Sequence, residues 1–106
     1  LHRFDVLQTA GAVTARADLK QLKALRNDNV CPSVTVLKQG LEWLAELDLT
    51  ACWHTLPIPV LHQFGRYDRL VPFSALSALK KQYLEHQFQS FEASSHLPFL
   101  TEVDQW

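Results

Sequence analysis

The 106-residue chain reads as an α/β fold, with parallel strands and flanking helices, preceded by a helical segment. Three observations predict this. The apolar run Ile58 to Phe64 is bounded by Pro57 and Gly65, the pattern of a strand buried in a parallel sheet. Residues 58–106 then alternate strand, helix, strand, helix, the order of a parallel α/β sheet. Residues 1–47 carry helical periodicity only. Two strands cannot form a stable parallel sheet with both faces covered, so further strands are expected from a longer chain. A start at Leu1 without methionine, and a stop at Trp106 inside an apparent helix, fit that expectation.

The elements follow in order. Phe4, Val6, Leu7 and Ala10 are expected to fill one face of a first helix that Gly11 ends. Thr14 can cap a second, with Leu19, Leu22 and Leu25 on its buried side. Pro32-Ser33 starts a third, in which Val34, Leu37, Leu41 and Leu44 recur at helical spacing. Three short amphipathic helices in series suit a cap, because none carries enough apolar surface to stand alone. The first strand comes next. Pro72 opens a helix in which Leu76, Leu79 and Leu84 continue to about Tyr83. Phe88 to Glu92 makes the second strand, and a last helix begins near Pro98. The division expected is a helical cap over residues 1–47 and part of an α/β core over 48–106.

Composition narrows the function classes. A formal net charge of −1 gives no general case for nucleic acid as a partner. The charge is uneven: residues 1–30 hold five basic and three acidic groups, a net of +2, which leaves −3 for the rest. Cys31 and Cys52 have neither C-x-x-C spacing nor clustered histidines, so no metal site is expected. Two unpatterned cysteines fit a reducing cytoplasm. No apolar run approaches the ~20 residues of a membrane helix.

The chemistry lies at the strand ends. In an open α/β sheet, ligands bind beyond the carboxyl ends of the strands. Asp68 lies three residues past Gly65, and His96 follows the second strand, so both should project to one rim. An acid followed by a base is the tail of the Ser…Asp…His order, in which histidine takes the serine proton and the carboxylate fixes its tautomer. No G-x-S-x-G elbow occurs, so the nucleophile is missing from this sequence. Ser94 and Ser95 lack glycine neighbours and read as loop-capping groups. His62 falls within a strand and reads as a packed or hydrogen-bonded group, while His2, His54 and His86 read as surface or loop positions. Arg66 and Arg69 flank the acid and read as an ordinary solvated pair, the other reading being a pair that steers an anionic group. Arg16, Lys20 and Lys23 share one helix face, either a solvated surface or a docking patch for an acidic partner.

These residues resemble a known family. Gly40-Leu-Glu-Trp-Leu, Leu47-Asp-Leu, Ile58-Pro-Val-Leu, Gly65-Arg-Tyr-Asp68-Arg-Leu-Val-Pro72 and Ser95-His96-Leu-Pro-Phe-Leu resemble the C-terminal part of the α/β-hydrolase superfamily. Within it, Arg3-Phe4, Leu7-Gln-Thr and Thr14-Ala-Arg16-Ala-Asp-Leu-Lys20 look like the helical lid of esterases that hydrolyse the methyl ester of pimeloyl-acyl-carrier protein in biotin synthesis. The resemblance implies Asp68 as the triad acid and His96 as the general base. It implies Phe4 and Leu70 as lining of the acyl pocket, and Arg3, Arg16 and Lys20 as contacts to the acyl carrier protein. Lys20 stands where the family has arginine, keeping charge but losing the bidentate fork. Nucleophile and oxyanion hole would belong to the N-terminal half of the same hydrolase, and the part seen here would be inactive alone. No metal or organic cofactor is implied. Other readings of the same residues are a C–C bond hydrolase, a lactonase, a general esterase, an epoxide or haloalkane hydrolase, or a non-catalytic module that binds a carrier protein.

Overall fold

The computed structural model of the chain describes residues 2–26 and 32–106. Cys31 lies outside the described residues. The elements are α1 (His2–Thr9), α2 (Ala15–Leu25), α3 (Val34–Glu46), α4 (Thr50–Trp53), β1 (Leu61–Gly65), α5 (Ser74–Gln82), β2 (Gln87–Phe91), α6 (Pro98–Thr101) and a 3₁₀ turn, Val103–Gln105. They form two compact units. One joins the described residues up to Arg26 with Pro59–Trp106, and the other holds the described residues between 27 and 58.

In the first unit β1 and β2 pair in parallel, with Leu61 opposite Gln87 and Gly65 opposite Phe91. Helix α5 makes the crossover between them. This is an α/β arrangement, a small parallel sheet with flanking helices. The strand expected from Ile58 begins only at Leu61. Pro57 and Pro59 have no N–H to give a ladder, so the pairing cannot reach further back. Val60 contributes its carbonyl, which accepts from Gln87 N at 2.8 Å. Phe64, Leu76, Tyr83, Phe91 and Leu97 form the apolar core with Ala12, and Phe91 is completely buried. Burying such a phenylalanine contributes about 2–3 kcal/mol. Leu84, expected to continue α5, is 82% exposed, and Tyr83 takes the inward place at the helix end.

The inward faces of α1 and α2 correct a second expectation. Phe4, Val6 and Leu7 are exposed, while Asp5 and Thr9 are buried. On α2 the buried residue is Asp18, with Leu25 exposed and Leu19 and Leu22 half-buried. Periodicity finds apolar stripes, but here polar groups go inward because each finds a partner. Arg26 grips Asp5 with both terminal guanidinium nitrogens, Nη1 donating at 2.7 Å. Asp18 accepts from the Thr14 hydroxyl at 2.8 Å and the Thr101 hydroxyl at 2.7 Å, tying α2 to α6. The Thr14 side chain thus donates to Asp18 instead of capping an amide. Gly11, two residues past α1, has φ +99°, a conformation that side chains rarely adopt.

In the second unit α3 starts as expected, with the Ser33 hydroxyl accepting from Val36 N at 3.3 Å. The short α4 was not foreseen. Asp48 Oδ1 accepts from the amide of Thr50 at 2.9 Å and from its hydroxyl, an Asx turn that starts the helix. Those bonds, the hydroxyl first, hold the Asp48 carboxyl below its ordinary value.

His62 is packed and hydrogen-bonded within β1, as expected. His62 Nε2 and His86 Nδ1 are 2.8 Å apart, so His86, a loop position as expected, is also a partner of the strand histidine. The His62 ring stacks on Phe88, with centroids 4.7 Å apart. Burial, then the charge of His86, pushes the His62 imidazole below its ordinary value of 6.5. The unfolded chain therefore holds this proton where the folded chain has released it. The contribution is complete above about pH 6.5 and is lost as pH falls beneath that value. Urea midpoints should drop between about pH 7.5 and about pH 5.5, and His62→Gln should flatten that drop. Equal slopes in the two proteins would refute the assignment.

Candidate active site

Because the strands run parallel, their carboxyl ends share one sheet edge, and both leaving turns rise from it. The turn after β1 is held by three backbone bonds. Arg66 N donates to Phe91 O at 2.8 Å, Tyr67 N to Ser94 O at 2.9 Å, and Asp68 N to Gly65 O at 3.2 Å. Asp68 then closes an Asx turn, its Oδ1 accepting from Leu70 N at 2.8 Å and Val71 N at 3.0 Å. Two amides thus fix the carboxylate plane and leave Oδ2 for another donor.

That donor comes from the turn after β2. His96 Nδ1 lies 2.8 Å from Asp68 Oδ2. The Asp68 side chain is 8% exposed and that of His96 is 32% exposed, so the acid is sheltered and the base reaches solvent. A carboxylate at Nδ1 selects the tautomer that carries its proton there, which leaves the Nε2 lone pair as a base. Among the described residues none bonds Nε2. The pair can accept a proton from a hydroxyl at Nε2 and stabilise the imidazolium formed.

The loop that carries His96 is fastened on three sides. Gly65 sits so close beneath it that a Cβ there would lie 1.7 Å from Ser95 O. The end of α1 and the connection that follows it grip the loop from another side: His96 N donates to Gln8 O at 3.1 Å, Ser95 Oγ to Ala10 O at 3.0 Å, and Val13 N to Ala93 O at 2.9 Å. From the third side, Glu102 Oε2 accepts from Ala93 N at 3.0 Å and from the Ser94 hydroxyl. Ser94 and Ser95 are 0% and 1% exposed, and both hydroxyls are engaged in these bonds. They hold the loop and are not accessible nucleophiles.

The other residues singled out by sequence are placed as follows. Leu70 is half-buried, with its amide on Asp68. Phe4 is exposed on α1. Arg3 lines a shallow apolar depression of about 410 Å³ with His2, Val6 and Leu7. Arg16 and Lys20 are exposed on α2. Arg66 lies over the Phe73 ring at 4.7 Å and 4.0 Å from the exposed Glu92, a solvated pairing of small energy. Among the described residues no cluster of three or more His, Cys, Asp or Glu could hold a metal ion. No described helix is long and apolar enough to cross a membrane. Gln8, Ala10 and Glu102 escaped sequence reasoning, since two act through main-chain carbonyls and the third through a loop closure that no local spacing announces.

No family model matches the chain. Over its whole length the chain is similar to curated proteins named pimeloyl-[acyl-carrier protein] methyl ester esterase. It is 39% identical over 106 residues to the one from Vibrio parahaemolyticus, covering 100% of this chain and 42% of that protein. It is 37% identical over 106 residues to that of Serratia marcescens, again 100% of this chain and 42% of the relative. The Aeromonas hydrophila protein is 33% identical with the same two coverages. The chain thus spans about two-fifths of the length of the curated relatives it matches.

Proposed function

We propose that the chain is the lid and C-terminal core of a serine carboxylesterase with the α/β-hydrolase fold. Its substrate would be the methyl ester of a pimeloyl chain held on acyl carrier protein, in biotin synthesis. The observation that carries the reading is the 2.8 Å bond between Asp68 and His96 at a common sheet edge. Similarity along the whole chain to esterases of that name supports the substrate. Residues 1–47 act as lid and 48–106 as core in this reading.

The serine and the oxyanion donors come from a part of the protein outside these residues. His96 Nε2 takes the serine proton as the oxygen attacks the ester carbonyl, then returns it to the departing methanol. It next takes a proton from water, whose oxygen attacks the acyl-enzyme, and returns that proton to serine as the free acid leaves. Asp68 holds the ring and offsets its positive charge at each stage. Phe4 and Leu70 line the acyl pocket. Arg3, Arg16 and Lys20 meet the acidic carrier, where charge mainly raises the association rate. Among the described residues none of these three cations is committed to a hydrogen bond or ion pair. A carrier-linked substrate fits a cytoplasmic enzyme.

The test uses the full-length protein and a panel of carrier-linked methyl esters, free methyl esters, lactones and a dienol ketone. We expect the carrier-linked pimeloyl ester to be preferred, with kcat/KM falling as salt rises. Preference for the dienol ketone or a lactone would replace the substrate. Salt-dependent carrier binding with no hydrolysis of any ester would replace the enzyme by a binding module.

A further inference from the structure

The loop bearing His96 is closed on itself by one carboxylate oxygen. Glu102 lies just beyond α6, six residues after the base, yet its Oε2 reaches back to residues that precede the base. It accepts from Ala93 N at 3.0 Å and from the Ser94 hydroxyl. Residues 93–102 therefore form a cinched loop with His96 inside it and Pro98 starting α6 on its far limb. The Ser94 hydroxyl belongs to a side chain that is 0% exposed, so water cannot replace Glu102 without the loop opening. A buried donor stripped of its acceptor carries the full cost of its desolvation, which favours a rearranged loop over an intact one.

We propose that Glu102 is a positioning residue for the general base: it sets where His96 Nδ1 meets Asp68 Oδ2 without touching the reacting atoms. The inference rests on the catalytic reading of His96 given above. Its chemistry needs an acceptor of two hydrogen bonds at one oxygen, not a negative charge. Glutamine can supply that acceptor through its Oε1, and alanine cannot.

The test is made in the full-length protein with two readouts. One is the split between kcat and KM on a methyl ester. The other is the downfield proton resonance of the His96 Nδ1–H held by Asp68. Glu102→Ala should lower kcat roughly ten- to a hundredfold with much less change in KM, since small misplacements of a catalytic group carry such costs. It should also shift or broaden the Nδ1–H resonance. Glu102→Gln should restore most of both. Should Glu102→Ala fail to fold, Ser94→Ala removes one of the two donors and should shift the same resonance by less. A native kcat and native resonance in the alanine variant, or in Ser94→Ala where that one stands in, would overturn the proposal. Failure of glutamine to restore them would overturn it too. A wild-type protein that hydrolyses no ester would sink the esterase reading alone, and Glu102 would then be judged on the resonance.

Discussion

Replacing His96 by alanine in the full-length protein should abolish ester turnover, by about six orders of magnitude in kcat, as removal of a triad base does elsewhere. The fold should survive. The His96 side chain is partly solvent-exposed, and Asp68 keeps the Leu70 and Val71 amides on its other oxygen. Asp68→Asn makes a sharper test because the same two amides dictate how an asparagine must sit. Its carbonyl oxygen has to occupy the Oδ1 place, where both donors point. The NH₂ then faces His96 Nδ1 and forces the imidazole proton onto Nε2. The base would be lost through its tautomer with the geometry kept, at a cost of about four orders of magnitude in kcat. Imidazole nitrogen spectra would show the exchanged tautomer directly. Near-normal rates in either variant would remove Asp68 and His96 from the mechanism.

The meeting of Asp68 and His96 was legible for a definite reason. Acid and base each follow a strand end, and in a parallel pair those ends coincide, so order along the chain becomes proximity in space. Asp68 after Gly65, and His96 after a strand ending at Phe91, needed no long-range information beyond the parallel pairing itself. The pairing was readable because an apolar run, an amphipathic helix and a second β-rich run stand in succession.

What was not legible depends on partners distant in sequence. Periodicity assigned the inward face of α1 to Phe4, Val6 and Leu7, whereas Asp5 goes inward because Arg26, 21 residues away, meets it. Asp18 is buried because Thr101, 83 residues away, donates to it. A hydrophobic pattern cannot register such pairs, since it scores each polar residue as if solvent were its only partner. The Asp18–Thr101 pair and the Glu102 clamp both lie at α6, directly after the base. The pairing of the two residues could be read, but the scaffold that holds them could not.

Gly65→Ala should be strongly damaging, as the closest-packed of the three described glycines. The reason is contact and not backbone conformation, for only Gly11 among the described glycines has a positive φ. An alanine Cβ at Gly65 would lie 1.7 Å from Ser95 O, 2.7 Å from Ser95 C and 2.9 Å from Ser94 O. All three are backbone atoms, so no side chain can swing aside, and the segment leading into His96 has to lift from the strand end. Lifting it would strain the Ser95 bond to Ala10, the Tyr67 bond to Ser94 and the meeting of His96 with Asp68 together. Overpacking of this kind costs about 1–3 kcal/mol in stability, and a base displaced by about 1 Å costs roughly a hundredfold in rate. Gly40→Ala is the matched control: it lies inside α3 with nothing within 4 Å of its Cβ, so it should be neutral or stabilising by up to about 1 kcal/mol. Thermal midpoints and kcat measured on both variants decide the matter. Should the two alanines behave alike, the Ser95 carbonyl does not rest on Gly65, and the close seating of the base loop on the strand end is wrong.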